Sequence, residues 1–244
     1  MSHHLVEVRD LHFSYPDGTA ALRGISLRIT HGESVAIIGG NGAGKSTLLQ
    51  HLNGYLMPQR GEVRIGDLLL TRATAGAIRR SVGAVFQDPD DQLFMSTVFE
   101  DVAFGPLNLG VPSAEVVTRS EAALQRVGMA HLRDRPPYKL SAGEKRAVAI
   151  ATVLAVAPDV LVMDEPSSHL DPRGRRRLID LLRSFEHTKI IATHDLELVV
   201  EVCPRVIVLD RGVIVAQGPA RELLRDEALM LAHGLERPHS LRPP

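Results

Sequence analysis

The feature that most constrains this chain is a glycine-rich stretch at residues 39–47, which has the spacing G-x-x-x-x-G-K-[ST]. Residues 34–38 before it predict a buried strand, and residues 47–52 after it predict a helix. In that context the loop turns backbone N–H groups inward, where they and the helix N-terminus can bind phosphate oxygens. The alternative is a glycine turn that happens to precede a helix, and the Lys-Ser pair at its end disfavours it. The predicted nucleotide-binding residues here are Gly39, Gly40, Asn41, Gly42, Ala43, Gly44, Lys45, Ser46 and Thr47.

A pair of acidic residues predicts the rest of a metal and catalytic site. The apolar residues 160–163 predict a strand buried on both faces, and Asp164 and Glu165 follow it. Ligands of open α/β sheets bind beyond the carboxyl ends of the strands. We therefore expect Asp164 to face a Mg²⁺ ion beside the Ser46 hydroxyl, Lys45 to reach the terminal phosphates, and Glu165 to orient or deprotonate a water. By itself, the acidic pair could also be a turn at the end of a strand.

Another apolar strand ends at His194. A neutral imidazole there could bind a γ-phosphate and the attacking water, which makes His194 a candidate catalytic residue. This signal is weak on its own, because Asp195 beside it is also a natural helix cap.

A second phosphate-competent helix start lies at residues 140–144. Ser141 and Glu144 have capping-box spacing, which is a complete structural explanation by itself. A helix that begins with small residues also exposes N–H groups that can bind an anion. Because the chain already has one phosphate site, this second one suggests that the nucleotide is shared between two subunits.

The overall composition is that of one sizeable domain. The chain has 244 residues, 44% of them hydrophobic, and a net charge of −1, so it gives no sign of a nucleic-acid footprint. Cys203 is the single cysteine, which excludes an intramolecular disulfide. The longest apolar run, residues 147–157, is too short to cross a bilayer, and we expect a cytoplasmic protein without a signal peptide. We expect one domain at residues 3–235, a helical insertion at about 96–157 and a flexible tail at 236–244.

Taken in order, these motifs resemble the nucleotide-binding subunit of an ATP-binding-cassette (ABC) transporter. The ordered set is the glycine loop, Gln87, residues 140–144, Asp164-Glu165, Leu170-Asp171 and His194, and the resemblance covers about residues 5–220. It implies an α/β fold with a P-loop NTPase core and mixed sheet, an N-terminal antiparallel β subdomain and a helical subdomain that bears the signature sequence. It also implies ATP and Mg²⁺ as cofactors and ATP hydrolysis coupled to transport.

The same resemblance implies further roles. Tyr15 would stack on adenine, and Gln87 would contact Mg²⁺ and water and connect the site to a membrane subunit. Residues that would contact the nucleotide held by a second ATPase subunit are Ser141, Gly143, Glu144 and Asp171. A homodimer is favoured, because both halves of such a composite site are present in this chain.

Three residues depart from the family pattern. Ala142 replaces the first glycine of the signature, and Glu144 replaces the common glutamine. His169 stands where a small residue is usual, and it is either an interface side chain or a group that tunes hydrolysis with pH.

Residues 87–94 resemble a segment of energy-coupling-factor importers, a branch that takes up vitamins or the ions Co²⁺ and Ni²⁺. The signature text at residues 140–146 favours the cobalt or nickel members. The alternatives are a vitamin or other small-molecule ABC transporter, and a soluble ABC ATPase acting on nucleic acid or ribosomes. The subunit would lie peripherally on the cytoplasmic face of the membrane, against integral membrane subunits. Its scattered histidines predict no direct cargo binding, and the arginine run at residues 173–177 reads as a solvated helix face.

Overall fold

A computed structural model describes residues 6–242 of the chain, and within this range ten strands form two sheets. The N-terminal sheet is antiparallel and has the strand order β2-β1-β4-β5. Its strands are β1 (Val6–Ser14), β2 (Ala20–Ile29), β4 (Arg60–Ile65) and β5 (Leu68–Leu69).

The second sheet has the order β10-β9-β3-β8-β7-β6. All neighbours in it are parallel except β10 and β9, which form a hairpin, so the sheet is mixed. Its strands are β3 (Ser34–Ile38), β6 (Val82–Val85), β7 (Val160–Asp164), β8 (Thr188–Ala192), β9 (Arg205–Asp210) and β10 (Val213–Pro219).

The central strands are mostly apolar because both of their faces are covered. In β3, Val35 and Ile37 belong to an apolar cluster shared with the N-terminal sheet, whereas Ala36 and Ile38 belong to a second cluster on the opposite face. Successive side chains of a strand point to opposite faces, so a strand covered on both sides is apolar at most of its positions. The predicted α/β class with a mixed sheet and an N-terminal antiparallel sheet is confirmed.

Helices connect the strands and contribute to both clusters. They are α1 (Lys45–Leu52), α2 (Ala75–Ser81), α3 (Val98–Asn108), α4 (Ser113–Arg126), α5 (Ala142–Leu154), α6 (Pro172–Ser184), α7 (Leu196–Val202), α8 (Ala220–Leu223) and α9 (Glu227–Ala232). Three of them, α3 to α5, lie within the stretch predicted as a helical insertion. The end of α5 packs closely on β6, where a Cβ atom at Gly83 would lie 2.3 Å from a methyl group of Val153. None of the helices in residues 6–242 is both long and apolar enough to cross a membrane.

The C-terminal end differs from its prediction. Two short helices, α8 and α9, come before residue 236. Residues 236–242 pack on the domain rather than forming a flexible tail: Leu241 is buried, Arg237 pairs with Glu227, and the Ser240 N–H donates to Glu197. The polar, proline-rich composition of this segment predicted exposure, but its single leucine, Leu241, is buried and anchors it. Residues 3–5 of the predicted domain and residues 243–244 of the predicted tail lie outside the described residues.

Candidate functional site

Four of the predicted functional segments lie at one edge of the parallel sheet. The glycine loop follows β3, His194 follows β8, Asp164-Glu165 ends β7, and Gln87 follows β6. Since β3, β8, β7 and β6 are parallel neighbours in that order, their carboxyl ends meet at the same edge. This is the edge at which open α/β sheets bind their ligands.

The phosphate loop has a shape that its neighbours enforce. At Gly39, a Cβ atom would lie 2.1 Å from the carbonyl oxygen of Leu209 in β9. At Gly44, where φ is +103°, it would lie 2.6 Å from the carbonyl oxygen of Ala21 in β2. Both positions therefore require glycine. By contrast, a Cβ atom at Gly40 would meet nothing within 4 Å, so that glycine is not needed for space.

Lys45 folds back into this loop. Its side chain is buried, and its ammonium group donates to the carbonyl oxygens of Gly39, at 2.8 Å, and of Gly40, at 3.1 Å. The positive charge thus lies against the phosphate loop.

Tyr15 lies beside the same loop. Its hydroxyl group is 3.0 Å from the hydroxyl group of Thr47, and its ring packs edge-on against Phe13, with centroids 5.2 Å apart. Phe13 packs in turn against the buried His51 of α1. One face of the partly exposed Tyr15 therefore has rigid support next to the phosphate loop.

Asp164 has the chemistry of a cation ligand. Burial raises the pKa of its carboxyl group, whereas a hydrogen bond from Ser46 acts in the opposite direction. Its Oδ1 atom is buried and has no hydrogen-bond partner within residues 6–242. An unpaired buried carboxylate oxygen is costly unless a ligand completes it. The carboxylate of Asp164 and the hydroxyl group of Ser46 are hard oxygen donors, so these residues fit Mg²⁺.

Glu165 is held tightly at the end of β7. It is buried and adopts a left-handed backbone conformation, with φ of +46°, which is strained for a residue with a side chain. Its Oε2 atom accepts from the Thr193 hydroxyl group at 3.0 Å and from the His194 N–H at 3.2 Å. The Nδ1 atom of His194 lies 2.9 Å from the same oxygen, although the His194 side chain is 70% exposed. The two predicted catalytic residues, Glu165 and His194, are therefore in direct contact.

Gln87 is exposed, and its position depends on α5. The buried guanidinium group of Arg146 donates to the carbonyl oxygens of Phe86 and Gln87. Ser46, Gln87 and Asp164, the three residues predicted to contact Mg²⁺, line one cavity of about 1040 Å³. The structure thus brings Ser46, Gln87 and Asp164 to one cavity although they are far apart in the sequence.

The predicted partner-subunit contacts form a separate surface. Ser141 caps α5 with a capping box, in which Glu144 accepts from the Ser141 N–H at 2.7 Å and from its hydroxyl group at 2.9 Å. Asp171 caps α6 and accepts from the Gly174 N–H. Ser141, Gly143, Glu144 and Asp171 line a second cavity of about 610 Å³, and Lys45 is not among its walls. The Glu144 carboxylate is engaged with the cap, where hydrogen bonds from the Ser141 N–H and hydroxyl group stabilise its negative charge and lower its pKa.

The sequence also matches a known protein family. The family described as ABC transporter matches residues 22–168, more than half of the chain. The chain belongs to the ABC transporter family of ATP-binding proteins. As an ABC ATPase it binds and hydrolyses ATP, and proteins of this family act as dimers together with membrane subunits.

Several relatives of this ABC ATPase cover nearly its whole length. A Geobacter sulfurreducens protein, GSU1281, provisionally named an ABC transporter ATP-binding protein, is 63% identical over 99% of this chain and 97% of its own. The energy-coupling factor transporter ATP-binding protein EcfA of Methanothermobacter thermautotrophicus is 47% identical over 97% of this chain and 78% of its own.

A solved structure supports the fold of this ABC ATPase. The chain resembles cbiO1 from Clostridium perfringens, described as part of the ABC transporter complex cbiONQ, with a TM-score of 0.82 and 41% identity over 94% of each chain. The P-loop NTPase fold implied by the sequence motifs is thereby confirmed.

Three residues that shape this ABC ATPase site were not predicted from the sequence. The Thr193 hydroxyl group donates to Glu165, and Arg146 donates to the carbonyl oxygens of Phe86 and Gln87. Arg175 belongs to the arginine run interpreted as a solvated face, but it pairs with Asp195 and is only 26% exposed. A polar residue ending an apolar strand was the available signal for Thr193, and a charge within an apolar helix was the signal for Arg146.

Proposed function

We propose that this chain is the ATP-hydrolysing motor subunit of an energy-coupling-factor importer for cobalt or nickel ions. The observation that carries the proposal is the segment at residues 87–94. Its resemblance to the importer branch agrees with relatives named EcfA, such as that of Carboxydothermus hydrogenoformans, which is 47% identical over 96% of this chain. The choice of cobalt or nickel depends on the signature sequence at residues 140–146.

The segment at residues 87–94 is attached to the signature helix, α5. Gln92 donates to the carbonyl oxygen of Ala149 and to the hydroxyl group of Thr152, and Lys145 pairs with Asp90 at 2.6 Å. These contacts are made by side chains of both segments. A membrane subunit that pushes on the segment would therefore move α5 with it.

The surface beside this segment suits a membrane subunit. Phe94 and Phe104 are 62% and 38% exposed, and their rings pack edge-on with centroids 5.0 Å apart. Tyr55, 67% exposed, lines the cavity next to Gln87. Exposed aromatic groups around a polar groove are typical of protein interfaces.

The catalytic part of the proposal assigns a role to each side chain at the sheet edge. Lys45 exchanges its loop carbonyl partners for the terminal phosphates of ATP, and Ser46, Asp164 and Gln87 would hold Mg²⁺. When bound, this ion neutralises charge on the β- and γ-phosphate oxygens. Glu165 accepts or orients the proton of the attacking water, and His194, in contact with Glu165, binds the γ-phosphate. Tyr15 stacks on the adenine.

The dimer completes the site in this proposal. Ser141 and Gly143 of one copy would bind the γ-phosphate held by Lys45 of the other, with Glu144 shaping the helix start and Asp171 crossing between the copies. A homodimer is proposed because this chain carries both halves. Closure positions the phosphate for attack, and hydrolysis removes the group that bridges the subunits.

The proposed location is the cytoplasmic face of the membrane, where the chain is bound peripherally to integral membrane subunits and makes no contact with cargo or nucleic acid. A vitamin or other small-molecule importer would use the same ATPase, so it differs only in the membrane partner. The ribosome or nucleic-acid alternative has less support, because the net charge of −1 offers no basic surface.

The experiment is purification of the tagged chain from its source cells in mild detergent, followed by reconstitution of the co-purifying membrane proteins into vesicles. We expect ATP-dependent uptake of cobalt or nickel, and no uptake when Glu165→Gln replaces the native chain. Uptake of a vitamin instead of a metal ion would contradict the proposed cargo and leave the importer proposal standing. Recovery with ribosomes and no membrane protein would overturn the transporter proposal.

A further inference from the structure

Arg175 makes a two-point ion pair with Asp195, the residue that follows His194. Its Nε atom donates to Oδ2 at 2.9 Å, and its Nη2 atom donates to Oδ1 at 3.2 Å. The two side chains are only 26% and 21% exposed. Paired donors of this kind fix orientation as well as distance, and lysine cannot reproduce them.

Asp195 is joined to the catalytic carboxylate through the backbone. Its N–H donates to the hydroxyl oxygen of Thr193 at 3.0 Å, and that hydroxyl group donates to Oε2 of Glu165 at 3.0 Å. The Asp195 carboxylate also caps α7 by accepting from the Leu198 N–H at 2.9 Å. Asp195 is thus the point at which α7 and the Thr193-His194 segment meet Arg175.

The other end of Arg175 leads to the expected dimer surface. Its backbone N–H donates to the carbonyl oxygen of Asp171, within the first turn of α6. The Asp171 side chain is exposed and accepts from the Gly174 N–H at the start of the same helix. A movement of Asp171 is therefore passed to Arg175 through one turn of helix.

We propose that Arg175 is a positioning residue, which couples the partner-facing Asp171 to the catalytic pair Glu165 and His194. This inference rests on the roles proposed above for those three residues. Glu165 has strained backbone geometry, so its carboxylate depends on the contacts that over-determine it. Contact of Asp171 with a second copy would fix the position of the Arg175 side chain. Through its ion pair with Asp195, Arg175 would then fix the position of the Thr193-His194 segment, which binds Glu165.

The chain offers a matched control one residue away. Arg176 lies on the same helix and pairs with Glu201 at 3.0 Å, and its side chain is 59% exposed. Arg175 also reaches Glu201, but only Arg175 pairs with Asp195. Comparing Arg175→Met with Arg176→Met therefore isolates the pairing with Asp195.

We expect Arg175→Met to lower kcat for ATP hydrolysis by about tenfold or more, since small displacements of catalytic groups are costly. KM for ATP and binding of a non-hydrolysable ATP analogue should stay near the native values, because Arg175 does not touch the phosphate loop. Arg176→Met should stay within about twofold of native kcat, as is usual for an exposed ion pair. Arg175→Lys should recover part of kcat.

A second pair of variants keeps the inference testable if Arg175→Met does not fold. Asp195→Asn retains the cap of α7 but weakens the ion pair, and Asp171→Asn retains the cap of α6. Each should lower kcat, and combining either with Arg175→Lys should give less than the product of the two single effects. Independent, multiplicative effects would overturn the coupling.

Glu165→Gln separates this inference from the proposal beneath it. If Glu165→Gln hydrolyses ATP at the native rate, the catalytic assignment fails and the coupling fails with it. If Glu165→Gln is inactive while Arg175→Met behaves like Arg176→Met, the catalytic assignment stands and Arg175 has no positioning role.

Discussion

The phosphate loop before α1 and the signature segment before α5 both present a helix N-terminus, but different surroundings shape them. Gly39 and Gly44 have backbone atoms of β9 and β2 so close that a Cβ atom cannot be placed. At Gly143 a Cβ atom would meet only a methyl group of Leu170, at 3.7 Å, and Ser141 is exposed. The first segment is shaped inside the chain, whereas the second is an open surface that suits a second copy.

The largest expected effect is on the phosphate loop. We expect Gly39→Ala to lower the free energy of unfolding by roughly 3 kcal/mol, because the added Cβ atom forces the backbone away from Leu209. Gly40→Ala is the matched control, since it has open space around it and should change that free energy by less than about 1 kcal/mol. Urea unfolding curves measure both, and equal effects would contradict the difference between the two glycines.

The next effect concerns catalysis at the sheet edge. We expect Glu165→Gln to reduce ATP turnover by roughly a hundredfold or more while the protein still binds ATP, because the amide cannot act as a base. Steady-state hydrolysis and equilibrium binding of ATP check the two parts. Native turnover would remove Glu165 from the catalytic role.

The comparison of the two helix starts is tested most directly by mixing variants. Ser141→Arg should abolish hydrolysis while ATP binding stays near native, because Ser141 is exposed and distant from Lys45 in its own chain, and loss of the α5 cap should lower the free energy of unfolding by only about 1 kcal/mol. Lys45→Ala should also abolish hydrolysis, because the phosphate loop then lacks the charge that contacts the terminal phosphates. A mixture of the two should regain up to about a quarter of native turnover, because each hybrid dimer retains one intact composite site. Native turnover by Ser141→Arg alone would show that the site is not shared.

A smaller effect is expected from Gly143→Ala. The Cβ atom has space, and alanine is the better helix former, so the free energy of unfolding should rise by up to about 1 kcal/mol. Urea unfolding beside Gly39→Ala makes the comparison direct. A loss of stability would mean that the signature segment is as tightly enclosed as the phosphate loop.

The smallest expected effects are changes in the free energy of unfolding with pH. Burial lowers the pKa of His51 in α1 below its ordinary 6.5, so the unfolded chain binds the proton more readily. The stability that neutral His51 contributes is therefore lost as pH falls below about 6.5. The loss stops once the pH is below the pKa of His51 in the folded protein. The Ser141 N–H lowers the pKa of Glu144 below 4.5, so the stability from that cap is lost only in more acidic solution.

Urea unfolding at a series of pH values checks these two windows. His51→Leu should remove the dependence near pH 6.5, and Glu144→Gln should remove the dependence below pH 4.5. If His51→Leu leaves the upper window unchanged, a different group is responsible for it.

Local patterns predicted much of the fold. The strands at residues 34–38 and 160–163 were predicted within a residue or two, because a strand covered on both faces needs a mostly apolar run. The packed segment at residues 236–242 was not predicted, since Leu241 is buried by contacts with residues distant in sequence. Arg175 was interpreted as solvated for the same reason, because Asp195 is twenty positions away.

The sequence alone determined which chemistry this protein can perform. The glycine loop, the acidic pair and the order of the motifs are properties of short segments, and each carries its own geometry. Only the tertiary structure decided how those segments are held. The parallel order of β3, β8, β7 and β6 brings four of them to one edge, and long-range contacts from Thr193, Arg146 and Arg175 set their orientation. Such contacts depend on which strands and helices become neighbours, and no local pattern contains that information.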